Sequence, residues 1–141
     1  MAEEFQIVYV EKPEDAVWGI IGGGLDSFNK QYAGDYHFQR VCVGLQAPDG
    51  QFEGGVLGEL FWDWFHLDLM WVREGLRGKG FGQRLLARIE DEARQRGAKH
   101  IFLDTFSFQA PEFYQKMGYR AFGELADFPA GHRRVFMVKE L

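Results

Sequence analysis

The chain has 141 residues, of which 46% are hydrophobic and 16% aromatic, and this composition excludes an intrinsically disordered protein. Its length suits one domain around one core, and no apolar run approaches the roughly 20 residues of a membrane-spanning helix. The net charge of −5 argues against a broad nucleic-acid-binding surface and is compatible with a small cationic substrate. We therefore expect a soluble, cytoplasmic protein that forms a single domain over residues 1–141.

The first part of the chain predicts one strand and an interrupted helix. Residues 5–10 are rich in β-branched and aromatic side chains, which favour a strand. Pro13 and the two acidic residues after it are typical of a helix start. Three glycines follow at residues 22–24, and each costs about 1 kcal/mol in a helix relative to alanine. We expect the helix to break there and a second short helix to cover residues 25–32.

Three consecutive antiparallel strands are predicted next, over residues 36–45, 52–61 and 65–72. Pro48-Asp49-Gly50 forms the turn between the first two strands, and Asp63-Trp64 forms a tight hairpin into the third. Glycines 54, 55 and 58 within the second strand indicate a bulge or the close approach of another backbone. Cys42 lies between two valines of the first strand and is expected to be a small core residue, so that no disulfide is predicted.

A glycine-rich turn, Arg77-Gly78-Lys79-Gly80-Phe81-Gly82, separates the third strand from a helix. The N–H groups at such a helix start lack intrahelical partners and, with the helix dipole, bind an anion, most often a phosphate. A P-loop is disfavoured because Phe81 and Gly82 stand where Lys and Ser or Thr are needed, and a dinucleotide fingerprint because Gln83 stands where its third glycine belongs. A turn that only reverses the chain is the alternative interpretation.

The residues after this turn predict an amphipathic helix and another strand. The apolar positions of the helix recur at four-residue steps: Phe81, Leu85, Ile89 and Ala93. Gly97 ends the helix, and residues 100–105 predict a buried strand. Residues 67–105 therefore form a βαβ unit with parallel pairing and a right-handed crossover. Pro111 and Gly118 delimit one more short helix, and residues 120–122 and 133–139 close the sheet.

Two motifs together point to a known family. The turn satisfies [R/Q]-x-x-G-x-[G/A] at Arg77, Gly80 and Gly82. The later segment fits N-x-x-A-x-x-[FLI]-Y-x-x-x-G-[FY] at Ala110, Phe113, Tyr114, Gly118 and Tyr119. With both motifs in this order, the chain resembles the GNAT N-acetyltransferase superfamily. It departs from the pattern at Ser107, which stands where the family usually has the asparagine that binds the cofactor.

The resemblance implies an α/β (α+β) fold, namely a mixed, mostly antiparallel twisted sheet that is flanked by helices and has a central βαβ unit. It also implies transfer of an acetyl group from acetyl-CoA to the primary amine of a small acceptor by direct attack, and by analogy a homodimer. Transfer of another acyl group and a non-catalytic acyl-CoA-binding sensor or interaction module are the alternatives. Because the region of residues 22–24 covers the acceptor site in the family, those glycines are either a hinge for substrate closure or a helix terminator.

The same resemblance implies which residues hold acetyl-CoA. The pyrophosphate would lie on the turn, against Arg77, Gly78, Lys79, Gly80, Phe81, Gly82 and Gln83. Pantetheine would insert between two diverging strands, against the main chain of Met70, Trp71 and Val72. The Met70 N–H could polarise the acetyl carbonyl as it becomes an oxyanion. Ser107 or Gln109 would replace the family's asparagine.

The resemblance also gives Tyr114 a role, protonation of the departing thiolate; a core tyrosine is the alternative. Neutralising an amine with a pKa of about 10.4 at pH 7 costs roughly 4.6 kcal/mol, which makes a base useful. The period of two along residues 65–72 places His66, Asp68 and Met70 on one face of the strand. His66 is therefore the candidate base, assisted by Asp68, which could instead bind a cationic acceptor; a polar face that pairs with a neighbouring strand is the alternative. The histidines lack metal-site spacing, so no metal is expected.

Overall fold

The computed structural model describes residues 3–141, apart from the side chains of residues 15, 16 and 18. It divides into two compact units, of which one ends at Tyr36 and the other spans His37–Leu141. No helix in the described part of the chain is long and apolar enough to cross a membrane. The expectation of one domain over residues 1–141 stays a prediction.

In the first unit, α1 (Asp15–Ala33) is a single helix of 19 residues. The predicted break at residues 22–24 and the separate helix over 25–32 are therefore wrong. Glycine weakens a helix without leaving the α-helical region of backbone space, so three glycines reduce its stability but do not by themselves end it. Near the C-terminal end, the Tyr36 hydroxyl donates to Asp26 Oδ1 at 2.8 Å and accepts from Asn29 Nδ2 at 3.1 Å.

The strand predicted over residues 5–10 is also wrong. Within the described residues 3–141 this segment joins no sheet, and its side chains are largely exposed, including Phe5 at 89% and Tyr9 at 88%. β-Branched and aromatic residues favour a strand only where a neighbouring strand supplies ladder hydrogen bonds and a surface to pack on. The composition of the segment alone could not show whether such a neighbour exists.

The second unit is built on one sheet with the strands β1 (Gln39–Gln46), β2 (Phe52–Phe61), β3 (Trp64–Val72), β4 (His100–Phe106), β5 (Arg120–Ala126) and β6 (Arg133–Glu140). Their order in space is β1-β2-β3-β4-β6-β5. All neighbours are antiparallel except β3 and β4, which are parallel. The mixed, mostly antiparallel sheet with a central βαβ unit is thus confirmed. The turn before β3 lies at Trp62 and Asp63, one residue earlier than predicted.

Two α-helices of the second unit accompany this sheet, α2 (Phe81–Gln95) and α3 (Pro111–Lys116), and a short 3₁₀-helix (Glu74–Leu76) precedes α2. The apolar face of α2 packs into the core through Leu85, Leu86, Ile89 and Ala93, against residues such as Phe65, Ile101 and Met137. Truncation of a buried leucine or isoleucine of this kind to alanine costs about 2–5 kcal/mol. The predicted amphipathic helix is confirmed. Cys42, by contrast, is exposed, because Val41 takes the core side of β1 and its neighbour must face away.

β3 and β4 are paired over only three residues and then separate. Trp64–His66 lies beside His100–Phe102, whereas the strands run on to Val72 and Phe106. Beyond that point β3 stays paired with β2, and β4 stays paired with β6. The sheet therefore opens between its two central strands, as the resemblance implied, and each strand keeps its other neighbour along the opening.

Candidate active site

Two adjacent cavities occupy the opening between β3 and β4. The turn cavity, of about 590 Å³, lies between the end of β3, the glycine-rich turn and α3, and is lined by Val72, Arg77, Gly80, Gln83 and Phe113 among others. The groove cavity, of about 470 Å³, lies between the strands and is lined by residues including Asp68, Asp104 and Gln109. The two cavities adjoin, because six residues border both of them: Met70, Trp71, Val72, Arg77, Ala110 and Tyr114.

The glycine-rich turn has the backbone geometry of an anion site. Gly78 and Gly80 have φ values of +76° and +84°, and Gly80 is the N-cap of α2. An added Cβ at either glycine would meet nothing within 4 Å, so the left-handed backbone, and not crowding, favours glycine here. The Arg77 Nε donates to the Val72 carbonyl at 2.8 Å and ties the turn to the end of β3.

The start of α2 supplies the hydrogen-bond donors of this site. The N–H groups of the first helical residues, Phe81, Gly82 and Gln83, have no acceptor within the helix, and they lie at its positive end. The first turn of α2, which the structure describes in full, contains no acidic residue that would oppose an anion. The helix start lies beside β3, since a Cβ at Gly82 would be in van der Waals contact with Met70 Cε at 3.4 Å. These features fit a diphosphate bound by main-chain amides.

A bulge in β3 decides which side chains face the turn cavity. The register with β2 passes from Leu57–Leu69 to Gly58–Leu67, so that Asp68 is an extra residue. Phe65 and Leu67 are buried before the bulge, whereas Met70 and Val72 pack against the core after it. Leu69 and Trp71 become the exposed residues, at 61% and 57%.

This bulge overturns the predicted face of β3. Strict alternation placed His66, Asp68 and Met70 together, and that expectation is wrong because one extra residue reverses the alternation beyond it. His66 instead stacks on Phe102, with ring centroids 4.7 Å apart, where β3 and β4 are still paired. The glycines of β2 did indicate the irregularity, since a Cβ at Gly58 would lie 2.3 Å from the Phe65 ring.

Tyr114 lies opposite the end of β3. Its hydroxyl is 3.8 Å from the Met70 sulfur, and its side chain is only 7% exposed. Burial raises the pKa of Tyr114 to about 12, because the phenolate would lose its hydration. The phenol therefore remains protonated at neutral pH and can donate a hydrogen bond into the opening.

The two candidates for the family's missing asparagine differ in position. The Ser107 Oγ accepts from the Arg133 N–H at 3.0 Å, which turns this side chain toward β6, and Ser107 is not among the described residues that line the two cavities. Gln109 does line the groove cavity. Its Oε1 accepts from Thr105 Oγ1 at 3.1 Å and from the Phe106 N–H at 2.8 Å. Only Gln109 is therefore brought to the opening.

The carboxylates at the groove cavity are Asp68 and Asp104. Asp104 is engaged by Arg134, whose Nε donates to its Oδ2 at 2.7 Å. Asp68 is exposed and belongs to the bulge itself. Of the two polar residues predicted on β3, Asp68 is thus at the opening and His66 lies before it.

One buried polar group was not predicted. Glu90 of α2 is 4% exposed and accepts from the Tyr119 hydroxyl at 2.7 Å. Lys139 of β6 donates to both of its carboxylate oxygens, at 3.1 and 3.0 Å. Burial and the negative charge of Glu90 raise the pKa of Tyr119. The available signal was the place of Glu90 beside Ile89 and one turn after Leu86, on the buried side of α2.

Comparison with known proteins agrees with this geometry. The model of the acetyltransferase (GNAT) family matches residues 11–119. The blasticidin-S acetyltransferase of Streptomyces morookaense is 45% identical over 93 residues, which are 65% of this chain and 68% of that protein. Acetyltransferase Atu2258 of Agrobacterium fabrum is 28% identical over 115 residues, or 82% of this chain and 84% of that protein.

A solved structure agrees over nearly the whole chain. The crystal structure of an acetyltransferase from Bacillus cereus has a TM-score of 0.88 and 34% identity, and the match covers 95% of this chain and 98% of that one. Because the family model covers well over half of the chain, and the fold and the glycine-rich turn agree with it, the protein belongs to the acetyltransferase (GNAT) family.

Proposed function

We propose that this protein transfers the acetyl group of acetyl-CoA to the primary amine of a small, cationic acceptor by direct attack. The observation that carries the proposal is the opening between β3 and β4, which begins after His66 and Phe102 and leads to the glycine-rich turn. Acetyl-CoA is the co-substrate of GNAT acetyltransferases. A long, thin thioester suits an opening between two strands whose facing edges have left main-chain groups unpaired.

Each part of acetyl-CoA has a matching part of the opening. The diphosphate is assigned to the amides of Gly78 to Gln83, with Arg77 and Lys79 beside them. Pantetheine is assigned to the edge of β3 along Met70, Trp71 and Val72. The thioester then lies where the two cavities meet, between Met70 and Tyr114. The Met70 N–H is assigned to the acetyl oxygen, and one such donor contributes about 2.7–4 kcal/mol in measured cases.

Tyr114 is assigned to the departing sulfur. With the pKa of Tyr114 raised to about 12, full proton transfer to a thiolate with a pKa of about 8.5 would cost roughly 5 kcal/mol. Donation of a hydrogen bond costs far less and still stabilises the negative charge that develops on sulfur. We therefore assign Tyr114 as a hydrogen-bond donor to the thiolate, which takes its proton from the amine or from water.

The acceptor is assigned to the groove cavity. The exposed Asp68 provides a carboxylate that attracts an ammonium group, and the exposed Trp71 and Phe108 provide aromatic surface. The name of the relative from Streptomyces morookaense makes blasticidin S the first acceptor to test. The position of His66 against Phe102 does not strengthen its assignment as the base, which stays a prediction.

The test uses the purified full chain, acetyl-CoA and a panel of amines that includes blasticidin S, with uncharged amines for comparison. We expect release of free coenzyme A together with a product that mass spectrometry identifies as the singly acetylated amine. Propionyl-CoA and succinyl-CoA in parallel distinguish transfer of another acyl group. Binding of acetyl-CoA without turnover of any amine would favour the sensor alternative and contradict the proposal.

A further inference from the structure

A polar network around the buried Glu90 joins three separate parts of the second unit. Lys139 of β6 donates to Glu90 of α2 and, at 2.9 Å, to the carbonyl of Met117. Tyr119 completes the network through its hydrogen bond to Glu90. Glu90, Tyr119 and Lys139 line neither of the two cavities, whereas Met117 lines the turn cavity. The network therefore lies behind the site and reaches it at the C-terminal end of α3.

The network holds the C-terminal end of α3, the helix that carries Tyr114. Met117 is the C-cap of this helix, so the Lys139 ammonium binds a carbonyl at the negative end of the helix dipole. The Tyr119 N–H donates to the Tyr114 carbonyl at 3.0 Å, and the two rings are in contact, with centroids 5.6 Å apart. Both attachments are within a few residues of the hydroxyl that faces Met70.

Helix α3 needs such support because it has only six residues. An isolated helix of this length is not stable in water, so packing and capping must fix its orientation. Gly118 follows the C-cap with a φ of +96°, a backbone conformation that favours glycine. It lies beside the lysine stem, since a Cβ there would be in van der Waals contact with Lys139 Cε at 3.4 Å.

Stability alone is a weak reason for a buried ion pair, because an apolar pair of similar volume is often as stable or more stable. Orientation of a short helix is a different requirement, since a displacement of about 1 Å at a reacting group can cost as much as a hundredfold in rate. We propose that Glu90, Lys139 and Tyr119 are positioning residues that hold α3 so that the Tyr114 hydroxyl faces Met70. This inference rests on the proposed function of Tyr114.

The test is a paired variant, E90Q with K139M, which removes both charges together and leaves no unpaired buried ion. Its matched control is R133M with E124Q, which makes equivalent chemical changes at an exposed ion pair between β5 and β6. We expect both proteins to fold, with the Kd for coenzyme A unchanged. The kcat is expected to fall roughly tenfold in the paired variant only. An unchanged kcat would overturn the proposal.

Two further measurements separate positioning from a general structural effect. In a Y114F background, E90Q with K139M is expected to lower kcat no further, because the network acts through that hydroxyl; an equal additional loss would overturn the proposal. Hydrogen exchange without any substrate is expected to become faster at residues 111–119 in the paired variant and not in the control. Unchanged exchange would also overturn it. A third outcome separates the two proposals. If hydrogen exchange changes as expected but the wild-type protein acetylates no amine, the proposed function is refuted, whereas the conclusion that the network holds α3 is not.

Discussion

The Tyr114 hydroxyl lies 3.8 Å from the Met70 sulfur, which brings α3 to the end of β3 at the place where the two cavities meet. This proximity depends on the bulge at Asp68, because without the extra residue Met70 would face away from the core. It also depends on the opening of the sheet beyond Phe102. Met70 and Tyr114 therefore come together because the bulge in β3 and the opening between β3 and β4 lie next to each other.

The Y114F variant is expected to lower kcat by about a hundredfold, because the departing thiolate loses its hydrogen-bond donor. The Kd for acetyl-CoA is expected to stay within about twofold of wild type, since the turn assigned to the diphosphate is untouched. Steady-state kinetics and calorimetry measure the two quantities. A Y114F protein as active as wild type would refute this role.

The raised pKa of Tyr114 gives a prediction on stability and pH. Its pKa is near 10 in the unfolded chain and about 12 in the folded protein, so the folded state binds the phenolic proton more tightly. The stabilisation of the folded state that this difference in pKa provides is fully present below pH 10 and is lost as the pH rises toward 12. Between these pH values the Tm of wild type is expected to fall more steeply than that of Y114F, as measured by thermal unfolding. Parallel Tm curves would contradict the raised pKa.

Binding of coenzyme A at the glycine-rich turn can be tested by comparing two glycines that both have a positive φ. Gly80 and Gly97 have φ values of +84° and +95°, before and after α2. Alanine at either position is expected to cost about 1 kcal/mol of stability, since a Cβ disfavours this conformation. Only G80A is expected to weaken coenzyme A binding, by about tenfold, because only that residue lies in the turn. Equal Kd values for G80A and G97A would argue against binding at the turn.

The D68N variant tests the acceptor assignment. Loss of this carboxylate is expected to raise the KM for a cationic amine about tenfold, while the KM for an uncharged amine stays unchanged. D91N removes an exposed carboxylate from α2 and serves as the control. If D68N raised both KM values alike, Asp68 would shape the bulge and not bind the cation.

The H66A variant addresses the candidate base. If His66 accepts the amine proton, the pH profile of kcat/KM is expected to change shape in this variant, because the proton acceptor is lost. A profile with the same shape as that of wild type would remove His66 from the mechanism and leave the deprotonation to water or to Asp68.

The sequence predicted the second unit well because its elements are marked by strong local signals. The glycine-rich turn, the period of α2 and the stop at Gly118 each follow from backbone or burial requirements that act over a few residues. The bulge at Asp68 was not predicted, because a polar residue at this position also fits strict alternation with one exposed face of the strand. Gly58 on the neighbouring strand carried the signal, because it admits the Phe65 ring where any side chain would collide.

The errors in the first unit and at Glu90 have a different origin. The composition of residues 5–10 favours a strand, but pairing requires a partner that no local signal specifies. The glycines of α1 lower helix propensity without forbidding the helix. Glutamate is usually a surface residue. The ammonium group that pairs with the buried Glu90 carboxylate belongs to Lys139, which is 49 residues away in the chain.

The most direct test of the central claim is a crystal structure of the protein grown with coenzyme A. We expect the diphosphate to accept hydrogen bonds from main-chain amides between Gly78 and Gln83, with pantetheine between β3 and β4 and its sulfur near the Tyr114 hydroxyl. Coenzyme A bound elsewhere, with the turn empty and β3 and β4 no longer separated beyond Phe102, would contradict the claim.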